Sequence, residues 1–128
     1  MKKALDYSLG RFVSALDRLR EGAAEAQDEL DRDGVIQRFA FCFELLWKTL
    51  KIFLEDKGIE ARSPKDSLKA AFGQGWIKDE DAFLDMLADR NRTSHIYSRE
   101  ESQKVFDRIR NEHLPMIDAL ARILQDMR

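Results

Sequence analysis

Apolar residues recur along the chain at the three- and four-residue spacing of amphipathic helices. The first such series consists of Leu5, Leu9, Phe12, Leu16 and Leu19. This spacing places all five on one face of a helix. It predicts a first helix that continues through the alanine-rich stretch and ends near residues 31–34. No alternating run of β-branched residues indicates a strand.

The second predicted helix is apolar on nearly every side. It runs from about Gly34 to Lys57, and Gly58 supplies the left-handed residue that commonly ends a helix. A helix with this pattern is either central in a bundle or shared with a second subunit. We expect both here, and the pattern therefore predicts a homodimer.

Capping residues mark the remaining helices. Ser63-Pro64 predicts the start of a short helix that runs through Ala71. The acidic residues 79–81 precede the next helix, where the macrodipole favours negative charge.

The last helix is predicted to begin at Ser98, which forms a capping-box pattern with Glu101, and to kink at Pro115. The sequence thus predicts an all-α fold, an up-and-down antiparallel bundle of four long helices and one short helix. We expect residues 1–128 to form a single domain.

Composition excludes several classes of protein. The 128 residues include 22 Lys and Arg against 24 Asp and Glu, so no basic excess indicates non-specific nucleic-acid binding, although a local basic patch stays open. The single cysteine, Cys42, cannot form an intrachain disulfide and is expected to be buried. No apolar run approaches about 18 residues and no signal peptide is apparent, which predicts a cytoplasmic protein without membrane contact. With two histidines and no phosphate-binding glycine loop, we expect neither a metal nor a cofactor.

Polar chemistry concentrates in residues 89–97. Asn91 and His95 share a helix face, whereas Arg90 and His95 are roughly 140° apart on an ideal helix. The two can share a site only if the arginine reaches across or the helix loosens. The cap at Ser98 requires the chain to leave the helix first, so we expect loosening. Unpaired carbonyls in a last helical turn favour a protonated histidine, which suits His95 to proton transfer.

This group of residues is suited to phosphodiester chemistry without a metal. Arg90 could hold a phosphate, His95 could move a proton, and Asn91 could orient either one. The alternative is a capped helix end, in which Arg90 pairs with an acid such as Asp89 or Asp85 and His95 binds a carbonyl. The spacing alone leaves both interpretations open and favours the second.

The string from Arg90 to Tyr97 resembles the R-x4-H-x-Y motif of HEPN domains. More closely, the chain resembles the nucleotidyltransferase substrate-binding protein family, small HEPN proteins encoded beside a minimal nucleotidyltransferase. The other matching segments are residues 43–50 (FELLWKTL), Ser63-Pro64, Trp76-Ile77 and residues 84–87.

The resemblance implies a dimer whose motif lines a cleft near the two-fold axis, in complex with the nucleotidyltransferase. Members with an intact motif are toxins that cut RNA without a metal, and the nucleotidyltransferase acts as antitoxin. In some pairs it adds adenylate to the motif tyrosine, here Tyr97. The resemblance thus predicts a metal-independent ribonuclease with Arg90, His95 and Asn91 as catalytic residues. The alternative, described by the older family name, is a non-catalytic subunit that binds the substrate or nucleotide.

Other residues have simpler interpretations. Lys48 and Lys51 are possible phosphate or nucleotide contacts, although the pair formed by Glu44 and Lys48 is more typical of a structural contact. We expect Trp47 and Phe43 to fill the core or a dimer interface. His113 is expected at the surface or in a groove.

Overall fold

A computed structural model describes residues 2–96 and 98–128, and its regular structure is entirely helical over those residues. The elements are α1 (Lys2–Glu25), α2 (Glu29–Asp56), α3 (Pro64–Gly73), α4 (Glu80–Arg92), a 3₁₀ turn (Thr93–His95), α5 (Arg99–Arg108), a π-helical turn (Ile109–His113) and α6 (Leu114–Met127). Because α5, the π-helical turn and α6 follow one another without a break, they form the fourth long helical segment. The predicted all-α fold, with four long helices and one short one, is confirmed.

The contacts of α1 show the up-and-down arrangement. Ser8 and Thr49 share a hydrogen bond of 2.7 Å at one end of the α1–α2 pair. At the other end, Arg38 Nη1 donates to the carbonyl oxygen of Arg18 at 2.8 Å. Positions rise along α1 as they fall along α2, so these helices are antiparallel.

The first predicted helix boundary is wrong. Helix α1 ends at Glu25 and α2 begins at Glu29, which leaves Gly34 inside α2. The Asp28 side chain accepts a hydrogen bond from the amide of Asp31 at 2.8 Å and so caps α2. An aspartate that satisfies a free amide starts the helix, and the glycine further along is tolerated within it.

The predicted starts of α3, α4 and α5 and the predicted stop of α2 are confirmed, whereas α3 continues to Gly73, two residues past the predicted Ala71. Gly58 has φ +78°, the left-handed conformation that ends α2. Ser63, Asp79 and Ser98 each accept a hydrogen bond from the amide three residues later, at 3.0–3.1 Å, and cap α3, α4 and α5.

The predicted irregularity at Pro115 takes the form of a π-helical turn. Pro115 has no N–H to donate, and its ring would crowd the carbonyl four residues earlier in a regular helix. The wider turn at Ile109–His113 precedes it, and the Leu114 amide donates to the carbonyl of Ile109. The chain then continues as α6, so the helical segment passes the proline without ending.

Helix α2 lies at the centre of the core. Its fully buried side chains include Phe39, Cys42, Phe43, Leu46 and Leu50. Burial raises the pKa of the Cys42 thiol to about 12, in keeping with its predicted buried role. Trp47 is partly buried and packs against the same core. Within the described residues, none of the helices is both long and apolar enough to cross a membrane.

Candidate functional site

The chain leaves the helix that carries the motif before Ser98, as predicted, but its backbone tightens there and does not loosen. Helix α4 ends at Arg92, and the chain tightens into the 3₁₀ turn Thr93–His95. The Thr93 hydroxyl donates to the carbonyl oxygen of Arg90 at 2.7 Å, which satisfies one of the carbonyls freed at the helix end. The side chains of Asn91 and His95 are exposed, while that of Arg90 is partly buried.

Arg90 pairs with a residue of another helix. Its Nη2 donates to Glu44 Oε2 on α2, and its Nη1 donates to Asn91 Oδ1 at 3.1 Å. The alternative interpretation, that Arg90 pairs with an acid, is therefore confirmed, although the acid is Glu44 and the suggested partners Asp89 and Asp85 are wrong. A guanidinium has five N–H groups, so three have no bond to another of the described residues. With 29% of its side chain exposed, Arg90 is fixed in direction and still reachable from solvent.

Glu44 is a site residue for which the sequence predicts only a structural role. Its Oε1 lies 3.4 Å from Lys48 Nζ, so the carboxylate faces two cations. Burial raises the pKa of Glu44, but the positive charges of Arg90 and Lys48 outweigh it, and the net pKa is lowered. The Trp47 indole Nε1 is buried and finds no acceptor in hydrogen-bonding geometry among the described residues. The one signal in the sequence for a role of Glu44 in the site was a carboxylate in the largely apolar middle of α2.

The two lysines predicted as possible phosphate contacts occupy different positions. Lys48 shares the Glu44 carboxylate with Arg90 and is 54% exposed. Lys51 donates to Glu55 at 2.8 Å, one turn further along α2. The structure therefore brings Lys48 to the motif arginine, while Lys51 is paired further along the helix.

A second cluster, the Asp89 cluster, surrounds the residue before Arg90. The Asp89 carboxylate accepts bonds from Arg108 Nε and Nη2 at 2.8 and 2.7 Å, from His113 Nε2 at 2.7 Å and from Arg92 Nη1 at 3.0 Å. Burial raises the pKa of Asp89, but His113 and Arg108 outweigh it and hold the pKa well below its ordinary value. The cluster fastens the last turn of α4 to α5 and to the π-helical turn.

His113 is predicted at the surface or in a groove, and the surface part of that prediction is wrong. The residue is 4% exposed and stacks on Phe39, with ring centroids 5.4 Å apart. One edge of the ring lines a cleft with Asp79, Asp85 and Glu112. Little in the sequence points to the Asp89 cluster, because its members come from positions 89–113 and meet only through the packing of α4 on the last helical segment.

The 3₁₀ turn rests against the exposed side of α2. A cleft of about 310 Å³ lies between Thr93, Ser94 and Ile96 on one side and α2 on the other, where Gln37 and Ala40 contribute to the wall. His95 is exposed beside this cleft. Tyr97, the predicted modification site, lies outside the described residues. Over residues 2–96 and 98–128, no three His, Cys, Asp or Glu side chains are grouped so as to hold a metal ion.

Comparison with known proteins identifies a family and a similar structure for this chain. The model of the family described as nucleotidyltransferase substrate binding protein like matches residues 7–126. A crystal structure of a protein from Thermus thermophilus is similar, with a TM-score of 0.77 and 32% sequence identity, over 91% of this chain and 97% of the Thermus chain. No curated protein matches. The chain therefore belongs to the nucleotidyltransferase substrate-binding protein-like family.

Proposed function

We propose that this protein cleaves RNA without a metal and that a minimal nucleotidyltransferase partner silences it, as in a toxin–antitoxin module. The observation that supports this most is the setting of Arg90. Its guanidinium is held by Glu44 with three N–H groups left to bind, at a helix end where His95 is exposed on the adjoining 3₁₀ turn. An anion-binding group and a proton-transfer group at one helix end are the minimum that phosphodiester cleavage needs.

The proposed reaction is an internal transesterification. His95 takes the proton of a ribose 2′-hydroxyl, and the resulting oxygen attacks the adjacent phosphorus. The bond from phosphorus to the 5′ oxygen breaks, and that oxygen takes a proton from a water molecule, so the products are a 2′,3′-cyclic phosphate and a 5′-hydroxyl. Arg90 stabilises the charge that develops on the phosphoryl oxygens, and Asn91, bonded to Arg90, orients its guanidinium.

Glu44 has a positioning role in this scheme. Its charged carboxylate fixes one edge of the Arg90 guanidinium, and Lys48 moderates the negative charge next to the substrate phosphate. An arginine without a carboxylate partner loses the freedom of several rotatable bonds when it binds a ligand. The pair formed by Arg90 and Glu44 restricts the arginine before RNA arrives, so less conformational entropy is lost on binding.

The partner and its mode of control are proposed from the family. The family description itself points to association with a nucleotidyltransferase. Transfer of adenylate to Tyr97 would add a negative phosphodiester close in sequence to His95 and Arg90, where a substrate phosphate has to bind.

The alternative function is a non-catalytic subunit that binds the substrate or nucleotide of the nucleotidyltransferase. The cleft of about 310 Å³ beside the 3₁₀ turn favours it, because that volume lies at the lower end of the range for small-molecule sites.

Cleavage of a labelled RNA by the purified protein, in EDTA and without the partner, tests the proposal. His95→Ala is expected to lower kcat by about 10²–10⁴. Arg90→Gln is expected to lower it as well, because the transition-state charge loses its donor. Arg62→Gln makes the same chemical change in the exposed loop between α2 and α3 and should leave kcat unchanged. RNA that stays intact with the wild type, together with saturable nucleotide binding, would establish the non-catalytic subunit instead.

A further inference from the structure

A groove between α1 and α2 carries positive charge although the protein has a net charge of −2. We call it the basic groove and define it by Tyr7, Arg11, Arg18, Arg38 and Phe41. Two adjoining cavities of about 430 and 480 Å³ form it, and they share Arg18 and Phe41 in their walls. The groove is therefore continuous along the two helices.

The three arginines of the basic groove pair with no carboxylate among the described residues. Most other arginines of the structure have such a partner, for example Arg20 with Asp118 and Arg90 with Glu44. The carboxylate that lines the groove, Asp6, is already bound to Arg128 at 2.7 Å. The positive charge of the groove is thus not neutralised by the described residues and can attract an anionic ligand.

The basic groove also presents aromatic rings to solvent. Tyr7 is 70% exposed and Phe41 is 54% exposed. The guanidinium carbon of Arg11 lies 5.8 Å from the centre of the Tyr7 ring, a cation–π contact. Arg38 is held in place because it donates to the carbonyl of Arg18. Arginines beside exposed aromatic rings are the combination that binds a single nucleic-acid strand, through its phosphates and by stacking on its bases.

The groove leads to the motif. Gln37 lines both the basic groove and the cleft beside Thr93 and Ser94, so the two depressions meet on α2. Arg11 and Arg18 are seven residues apart, which separates them by roughly 10 Å along α1. Beyond Arg38 the surface becomes acidic, with Glu25 and Asp31 lining the next cavity. The positively charged surface is therefore bounded. It meets the motif cleft at Gln37 and gives way to acidic residues beyond Arg38.

We infer that the basic groove binds the single-stranded RNA that flanks the scissile phosphate. Arg11 and Arg18 contact its phosphates, and Phe41 stacks on a base. The inference rests on the proposed RNA-directed function and adds to it the substrate class, an unpaired strand several nucleotides long. It also explains how a protein without a net basic charge holds RNA.

Binding can be measured separately from cleavage. Fluorescence anisotropy of a labelled single strand of about 12 nucleotides is followed on the His95→Ala background, across salt concentrations of about 50–200 mM. Arg11→Gln with Arg18→Gln is expected to weaken binding about tenfold and to reduce the slope of log K against log salt by about 1.4, for two lost phosphate contacts. Phe41→Leu should weaken binding and leave that slope unchanged. Arg122→Gln, an exposed arginine of α6 outside the groove, should change neither.

The outcomes separate this inference from the proposed function. If the double variant binds RNA as well as the control does, the inference is overturned even where the wild type cleaves RNA. If binding falls as expected while no wild-type cleavage is seen, the groove binds RNA and the ribonuclease proposal fails. Loss of binding to a nucleotidyltransferase partner in the double variant, with RNA affinity intact, would make the groove a protein interface and also overturn the inference. In an active enzyme, the double variant should raise KM for the long strand and leave kcat for a dinucleotide unchanged.

Discussion

Replacing Asp89 by asparagine removes the charge that joins α4 to the last helical segment. The carboxylate is 2% exposed and accepts four hydrogen bonds, from Arg92, Arg108 and His113. Removing one partner of a buried ion pair costs about 3–5 kcal/mol. Because one third of the Arg108 side chain is exposed and water can solvate it, we expect the lower end, about 3 kcal/mol. For a chain of this length the loss corresponds to a fall in Tm of about 12 °C.

Thermal and urea unfolding followed by circular dichroism measure this loss. The matched control is Asp85→Asn, one turn earlier on α4, where the side chain is exposed. It makes the same chemical change and should alter the free energy of unfolding by less than about 0.5 kcal/mol. A loss below about 1 kcal/mol for Asp89→Asn would show that the Asp89 cluster does not stabilise the fold.

The same variant has a pH signature. The folded protein holds the pKa of Asp89 below its value in the unfolded chain, so the unfolded state binds more protons and stability rises with pH across that interval. The contribution is complete above the unfolded value of about 3.9 and disappears as the pH falls toward the folded value. The difference between wild type and Asp89→Asn should therefore shrink in acid. A difference that stays constant between neutral pH and about pH 3 would contradict this assignment.

Further predictions concern the backbone, the thiol, the assembly and the modification. Gly34→Ala, inside α2 with open space around it, should stabilise the fold by about 0.5–1 kcal/mol, whereas Gly58→Ala, at φ +78°, should destabilise it by about 1 kcal/mol in urea unfolding. Cys42 should react with a thiol reagent only on unfolding, because it is buried and its pKa is raised to about 12; fast labelling of the native protein would refute this. Light scattering should show a dimer, and a monodisperse monomer at micromolar concentration would not fit. Incubation with the cognate nucleotidyltransferase, ATP and magnesium should add the mass of adenylate to the wild type but not to Tyr97→Phe; an equal gain in both would exclude this tyrosine.

Much of the fold could be predicted because its signals are local. Gly58 and Ser98 each act through neighbouring backbone groups, and the sequence predicts both correctly. The predicted start of α2 is misplaced. Asp28 caps the helix, but the residues directly after it show no apolar spacing that would mark a helix in the sequence. Helix α2 also buries most of its apolar residues within one protomer, leaving Leu30 and Phe41 as its large exposed ones among the described residues. Its pattern therefore reflects a central position, and the homodimer stays a prediction.

The candidate site was predictable only as far as its spacing along α4. The motif residues and the end of α4 before Ser98 follow from the order of residues 90–98. The partners of that stretch do not, because Glu44 and His113 come from other helices and reach it through packing. Short-range patterns report which side chains share a face, while the choice of Glu44 over Asp85 as the partner of Arg90 depends on how α2 crosses α4.

Consecutive residues at the end of α4 are tied in different directions, Asp89 to the π-helical turn and Arg90 to α2. In the proposed mechanism, the arginine that binds the phosphate is therefore part of the rigid frame, whereas His95 stands on a 3₁₀ turn of three residues at the surface. Under that mechanism, a partner that binds this turn would stop the reaction while every helix stays in place, so inhibition and release would need no refolding.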